Sequence, residues 1–140
     1  MVQRGKLIPL IKMIKAWNAV HGKKLRSYHL EALVLKVFTN CPIGEYGLAV
    51  KEFFEKSPQH LDYLPDPSGA SGNVGYYLDF VAMHQALDIL KEAHNRALRA
   101  NCLDDFGKTD QAFGEWRAIF GDYFPHYAER RVYGNPALVV

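Results

Sequence analysis

Apolar residues recur at three- and four-residue spacing along most of this chain, and five stretches carry the pattern of amphipathic helices. In the first, about residues 8–20, Leu7, Leu10, Ile11, Ile14 and Trp17 line one face. Pro9 falls where a first-turn proline is tolerated, and Gly22 marks a stop. The second begins near Ser27, a residue type that caps orphan amides, with Leu30, Leu33, Val34, Val37 and Phe38 inward. The third, about residues 44–56, turns Leu48, Phe53 and Phe54 inward and is closed by Pro58. Residues 59–74 hold two prolines and two glycines and read as a long ordered or semi-ordered loop. The fourth and longest helix, about residues 77–100, carries Leu78, Val81, Ala82, Gln85, Leu87, Leu90, Ala93, Ala97 and Leu98. Thr109 or Asp110 caps the fifth, whose apolar face is Phe113, Trp116, Ile119 and Phe120 and which stops before Gly121. The last fifteen residues, about 126–140, read as an irregular tail. No segment alternates as a strand does. The expected fold is all-α, a five-helix bundle forming one domain over residues 1–140.

Composition agrees with that architecture: 140 residues, 49% hydrophobic and 23% charged, suffice for one packed core. Lys12, Lys15 and Lys36 interrupt the apolar runs, so no membrane span is expected. The first ten residues show no apolar core followed by a small-residue cleavage site, so a cytoplasmic location is expected. Cys41 and Cys102 belong to no metal-ligand or disulfide pattern and are expected to be buried, reduced thiols.

Charge adds what periodicity cannot. The first thirty residues hold seven basic side chains, Arg4, Lys6, Lys12, Lys15, Lys23, Lys24 and Arg26, and no acid; the rest of the chain holds ten basic and fifteen acidic. A basic quarter on an acidic body suits a surface that meets phosphates or an acidic partner, although a solvated charged face has the same composition. Lys12 and Lys15 share nearly one face of the first helix. Ser27 and Tyr28 follow at the start of the second, where unpaired amides and the helix dipole favour anions. By residues alone this is equally a phosphate clamp or a chance pairing of surface lysines.

Other motifs are weaker. The glycines between residues 69 and 73 lack the Gly-Lys-Ser/Thr ending of a P-loop and read as turn chemistry. Asp62 with Asp66, and Asp104 with Asp105, read as loop and helix-end acids and not as metal ligands. His29 has no partner at catalytic spacing and reads as a packed, hydrogen-bonded histidine. Tyr28, Tyr76, Tyr77, Tyr123 and Trp116 offer aromatic faces on which a base could stack, most of them expected in the core or at its boundary.

Three segments together resemble the superfamily of oligoadenylate synthetases and cyclic GMP-AMP synthases, including its bacterial antiviral cyclic-oligonucleotide synthases. They are Leu7 to Asn18, with its two lysines and tryptophan; Leu25-Arg26-Ser27-Tyr28-His29-Leu30-Glu31; and Leu64-Pro65-Asp66-Pro67-Ser68 with Gly72-Asn73-Val74-Gly75. Phe120-Gly121-Asp122-Tyr123-Phe124-Pro125 is similar to the tail of bacterial members. The resemblance implies the C-terminal helical half of a nucleotidyltransferase. It further implies that Lys15, Lys12 and Ser27 contact the triphosphate of a donor nucleotide, with Tyr28 nearby. The family's catalytic half, a Gly-Ser turn, an Asp-x-Asp or Glu-x-Asp pair and a third acid holding two magnesium ions, has no counterpart here. No catalytic residue, metal ligand or cofactor is therefore expected in this chain, and magnesium only together with the missing half. The expected partners are a nucleoside triphosphate and either a catalytic half or a second copy of the chain. The alternative is a stand-alone helical binding or regulatory protein whose basic face meets a partner or nucleic acid.

Overall fold

The computed structural model describes residues 4–70 and 72–124. Among them are five α-helices, α1 (Arg4–Val20), α2 (Ser27–Phe38), α3 (Tyr46–Lys56), α4 (Phe80–Asp105) and α5 (Thr109–Phe120), with 3-10 turns at Ser57–His60 and Gly121–Tyr123. Among the described residues there is no strand, only an isolated bridge between Pro65 and Asn73. The fold class read from periodicity is the one found. The tail expected over residues 126–140 lies outside the described residues.

Helix α1 begins at Arg4, a turn earlier than its apolar pattern predicts, so Pro9 lies inside it and not in its first turn. Tertiary contacts secure that extra turn. Leu7 is buried, Lys6 Nζ donates to the Ile43 carbonyl at 2.9 Å, and the Tyr46 hydroxyl reaches the Lys6 carbonyl at 3.4 Å. The buried stripe is Leu7, Leu10, Ile14 and Trp17, and Trp17 meets Phe54 of α3 edge-to-face at 4.9 Å. A T-shaped pair at this separation adds directional attraction to the burial of two large rings.

Helix α4 is 26 residues long, or about 39 Å at 1.5 Å per residue. Its buried positions are Ala86, Leu90, Ala93, Ala97 and Ala100, a narrow seam of mostly small side chains that lets α3 and α5 approach closely. The broader strip expected from sequence is corrected here. Val81 and Leu98 are exposed, as is Gln85, because seam spacing places them off the face that α3 and α5 cover. The start shifts from residue 77 to Phe80, where Asp79 caps the helix by accepting the Ala82 amide at 2.7 Å.

In α3 the buried face is Ala49, Val50, Phe53 and Phe54, which leaves Leu48 half exposed and not inward. Helix α5 buries Ala112, Phe113, Trp116, Ile119 and Phe120. Its N-cap is Lys108, and neither Thr109 nor Asp110 caps it. Glu115 accepts from Arg96 at 3.0 Å and from Arg99 at 2.9 Å, clipping α5 to α4. Neither cysteine forms a disulfide among the described residues, but Cys102 is exposed and Cys41 only half-buried, so the expectation of buried thiols does not hold.

Candidate functional site: the amino end of α2

The turn between α1 and α2 is fixed from beneath. Asn18, buried at the end of α1, donates from Nδ2 to the Leu25 carbonyl at 2.7 Å and accepts the Leu25 amide at 3.3 Å. Gly22 and Lys23 take positive φ of 91° and 51°, which lets the chain reverse within a few residues. Leu25 is buried. Arg26, Ser27 and Tyr28 are thereby presented outward at the start of α2.

The loop before α4 packs over this end. Leu61, Leu64 and Val74 are buried, and the Asn73 side-chain oxygen accepts the amides of Leu64 and Gly75, each at 3.1 Å. Asp66 Oδ1 accepts the Ser68 amide and hydroxyl, both at 2.8 Å, and also the Tyr28 hydroxyl. A loop with this many internal bonds is an ordered wall.

Tyr77 closes the other side. Its hydroxyl accepts the Arg26 amide at 2.8 Å and lies 2.7 Å from His29 Nδ1. The other ring nitrogen, Nε2, is buried without a partner among the described residues. His29 is fully buried, and burial lowers its pKa to about 4. Burial likewise pushes the Tyr77 phenol up, opposed by the hydrogen bond and charge from Arg26. The Arg26 guanidinium lies 4.4 Å from the Tyr77 ring centroid and 5.8 Å from that of Tyr76, with a long bond to the Tyr76 hydroxyl at 3.4 Å.

Of the residues singled out from sequence, Lys15 is drawn toward α2: its Nζ lies 3.3 Å from Glu31 Oε2, one helical turn beyond Ser27. Ser27 is exposed as the first residue of α2, but Arg26 is the N-cap and no side chain caps the helix, so the capping expected of Ser27 is corrected. The first amides of α2 are therefore left without a side-chain cap among the described residues. Tyr28 keeps an exposed ring while its hydroxyl is committed to Asp66. Lys12 is exposed and lines a groove of about 340 Å³ with Pro9, Met13, Phe120, Tyr123 and Phe124, on the flank of α1 that meets the end of α5. The structure therefore joins Lys15 to α2 and sets Lys12 at a neighbouring concavity. Trp116 is buried and offers no stacking face. His29 is packed and hydrogen-bonded, as its surroundings in the sequence suggested.

Sequence reasoning passed over the roles of Arg26 and Glu31. Glu31 stands four residues after Ser27, so helical spacing alone places the two on one face. Arg26 was visible only as part of a basic turn, because its partners Tyr76 and Tyr77 lie some fifty residues away.

Among the described residues no group of three or more His, Cys, Asp or Glu is placed to hold a metal ion. No helix among them is long and apolar enough to cross a membrane.

The arrangement defines a helical bundle with a cationic, aromatic-walled helix end. No family model matches the chain. Over 134 residues, 89% of the chain, it is 30% identical to a protein of Bacillus cereus (strain VD146) named a probable cyclic nucleotide synthase. The chain spans about 38% of the length of that curated relative.

Proposed function

We propose that this chain is the helical lobe of a template-independent nucleotidyltransferase that makes cyclic or oligomeric nucleotides, and that its α1/α2 face receives the donor triphosphate. In this reading Lys15 and Ser27 contact the phosphates, Lys12 contributes from the adjoining flank, and Tyr28 stands beside them. The observation that carries the reading is the placement of Lys15 against α2 within one turn of the uncapped, exposed Ser27. An ammonium group beside the amides of a helix start is a phosphate-binding arrangement. Similarity to a probable cyclic nucleotide synthase supports the same direction.

In this reading the chemistry of transfer would come from the acids of a catalytic half, which would hold magnesium. What its own residues do is bind, neutralise and orient. Phe80 and Val81, left exposed at the start of α4, offer apolar surface to a catalytic half.

In a polypeptide that carries this lobe beside a catalytic half, Lys15→Ala raises the donor KM or slows turnover about ten-fold. Unchanged kinetics refutes the assignment.

A further inference from the structure

We propose that Glu31 is a built-in competitor for the phosphate site: it occupies the Lys15 ammonium in the empty lobe and must be displaced by the triphosphate. The inference rests on the reading of Lys15 as a phosphate contact and adds a residue that sets the strength of that contact.

Lys15 and Glu31 are 3.3 Å apart, and both side chains are about two-fifths exposed, at 39% and 42%. Neither makes a second ion pair among the described residues. The setting is specific to this face. Of the described basic side chains in the first thirty residues, which exclude that of Arg4, Lys15 is the one that forms an ion pair, and Glu31 is the first acid in the chain. Elsewhere among the described residues ion pairs lie along helix surfaces, clip α5 to α4, or join Arg117 to Asp122 at the end of α5.

A carboxylate at this position does two things to an arriving polyphosphate. It must give up the ammonium, and it then stands beside a ligand of its own sign. Because the pair is partly solvated, the exchange is cheap enough to occur and dear enough to lower affinity. Glu31 also keeps the Lys15 side chain oriented toward α2 before the ligand arrives.

The test is a double-mutant cycle read by equilibrium titration of magnesium ATP into the wild-type chain, Glu31→Gln, Lys15→Ala and the double variant, at low salt. Amide spectra verify that each variant is folded, and Glu31→Ala repeats the charge removal with a different side chain. The expected result is that Glu31→Gln and Glu31→Ala tighten binding about three-fold or more, and that the gain disappears in the Lys15→Ala background. If Lys15→Ala weakens binding but neither Glu31 variant tightens it, the competitor role is overturned while the donor-lobe reading stands. Tightening of equal size with and without Lys15 also overturns it, since Glu31 would then act only as a general repulsive charge. Lys15→Ala without effect overturns both.

Discussion

The Tyr77 hydroxyl lies 2.7 Å from Nδ1 of His29, so one phenol pins the loop before α4 to the first turn of α2. The same oxygen accepts the Arg26 amide. The buried imidazole of α2 and the exposed amide of its N-cap residue therefore share one side chain from some fifty residues downstream. Tyr77→Phe keeps the ring and removes the oxygen. Leaving the buried His29 Nδ1 without its partner costs about 1 to 3 kcal/mol, read as a lower midpoint in chemical denaturation with an unchanged slope. An unchanged midpoint would mean that water replaces the hydroxyl at no cost.

His29 makes stability depend on acid. Its folded-state pKa, about 4, lies below the ordinary value of 6.5, so between those values the unfolded chain binds more protons than the folded one. Stability is therefore retained above about pH 6.5 and falls as pH drops toward 4, by about 3 kcal/mol in all. Carboxylates also titrate at the lower edge of this window, so the comparison is with His29→Gln. That variant should start from lower stability at pH 7 and lose less of it between pH 6.5 and 5 in urea titrations.

Asn18 clasps the α1/α2 turn through both atoms of its carboxamide. Asn18→Ala leaves the Leu25 amide and carbonyl unpaired in a buried setting and should cost about 1 to 3 kcal/mol. It should also raise hydrogen exchange in residues 21–28 above that of the α4 seam.

Arg26 is held by aromatic rings and has no acid partner among the described residues. Under the donor-lobe reading its guanidinium is a further cation above the α2 amides. Arg26→Ala should weaken binding of magnesium ATP about three- to ten-fold, and Arg26→Lys should recover only part of that loss, because an ammonium does not stack flat on Tyr77. Isothermal titration of the three proteins checks the order.

Much of the architecture was legible in the sequence because helical burial leaves a periodic trace. Leu10, Ile14 and Trp17, or Phe113, Trp116 and Phe120, announce both the helix and its inward face. Where partners lie far away in the chain, the trace fails. Leu48 and Val81 have core-like chemistry but face outward, since the packing of α3 and α4 against other helices decides which stripe is covered. The first turn of α1 is held by Ile43 and Tyr46, which no local rule anticipates. Lys15 and Ser27 could be considered together because they are near in sequence and lie on helix faces of known spacing. The Tyr28–Asp66 bond and the Arg26–Tyr77 stack could not, because a long loop folds back to make them.

The most direct test of the donor-lobe reading is an amide NMR titration of the chain with magnesium ATP and magnesium GTP, at low and moderate salt, on wild type and Lys15→Ala. The account predicts saturable shifts clustered at Lys15, Ser27 and Tyr28, with Lys12 following, at roughly millimolar affinity, near −4 kcal/mol. Added salt and the Lys15 substitution should both weaken them. A well-dispersed spectrum with no saturable shifts in those residues, or shifts there that Lys15→Ala leaves unchanged, would contradict it.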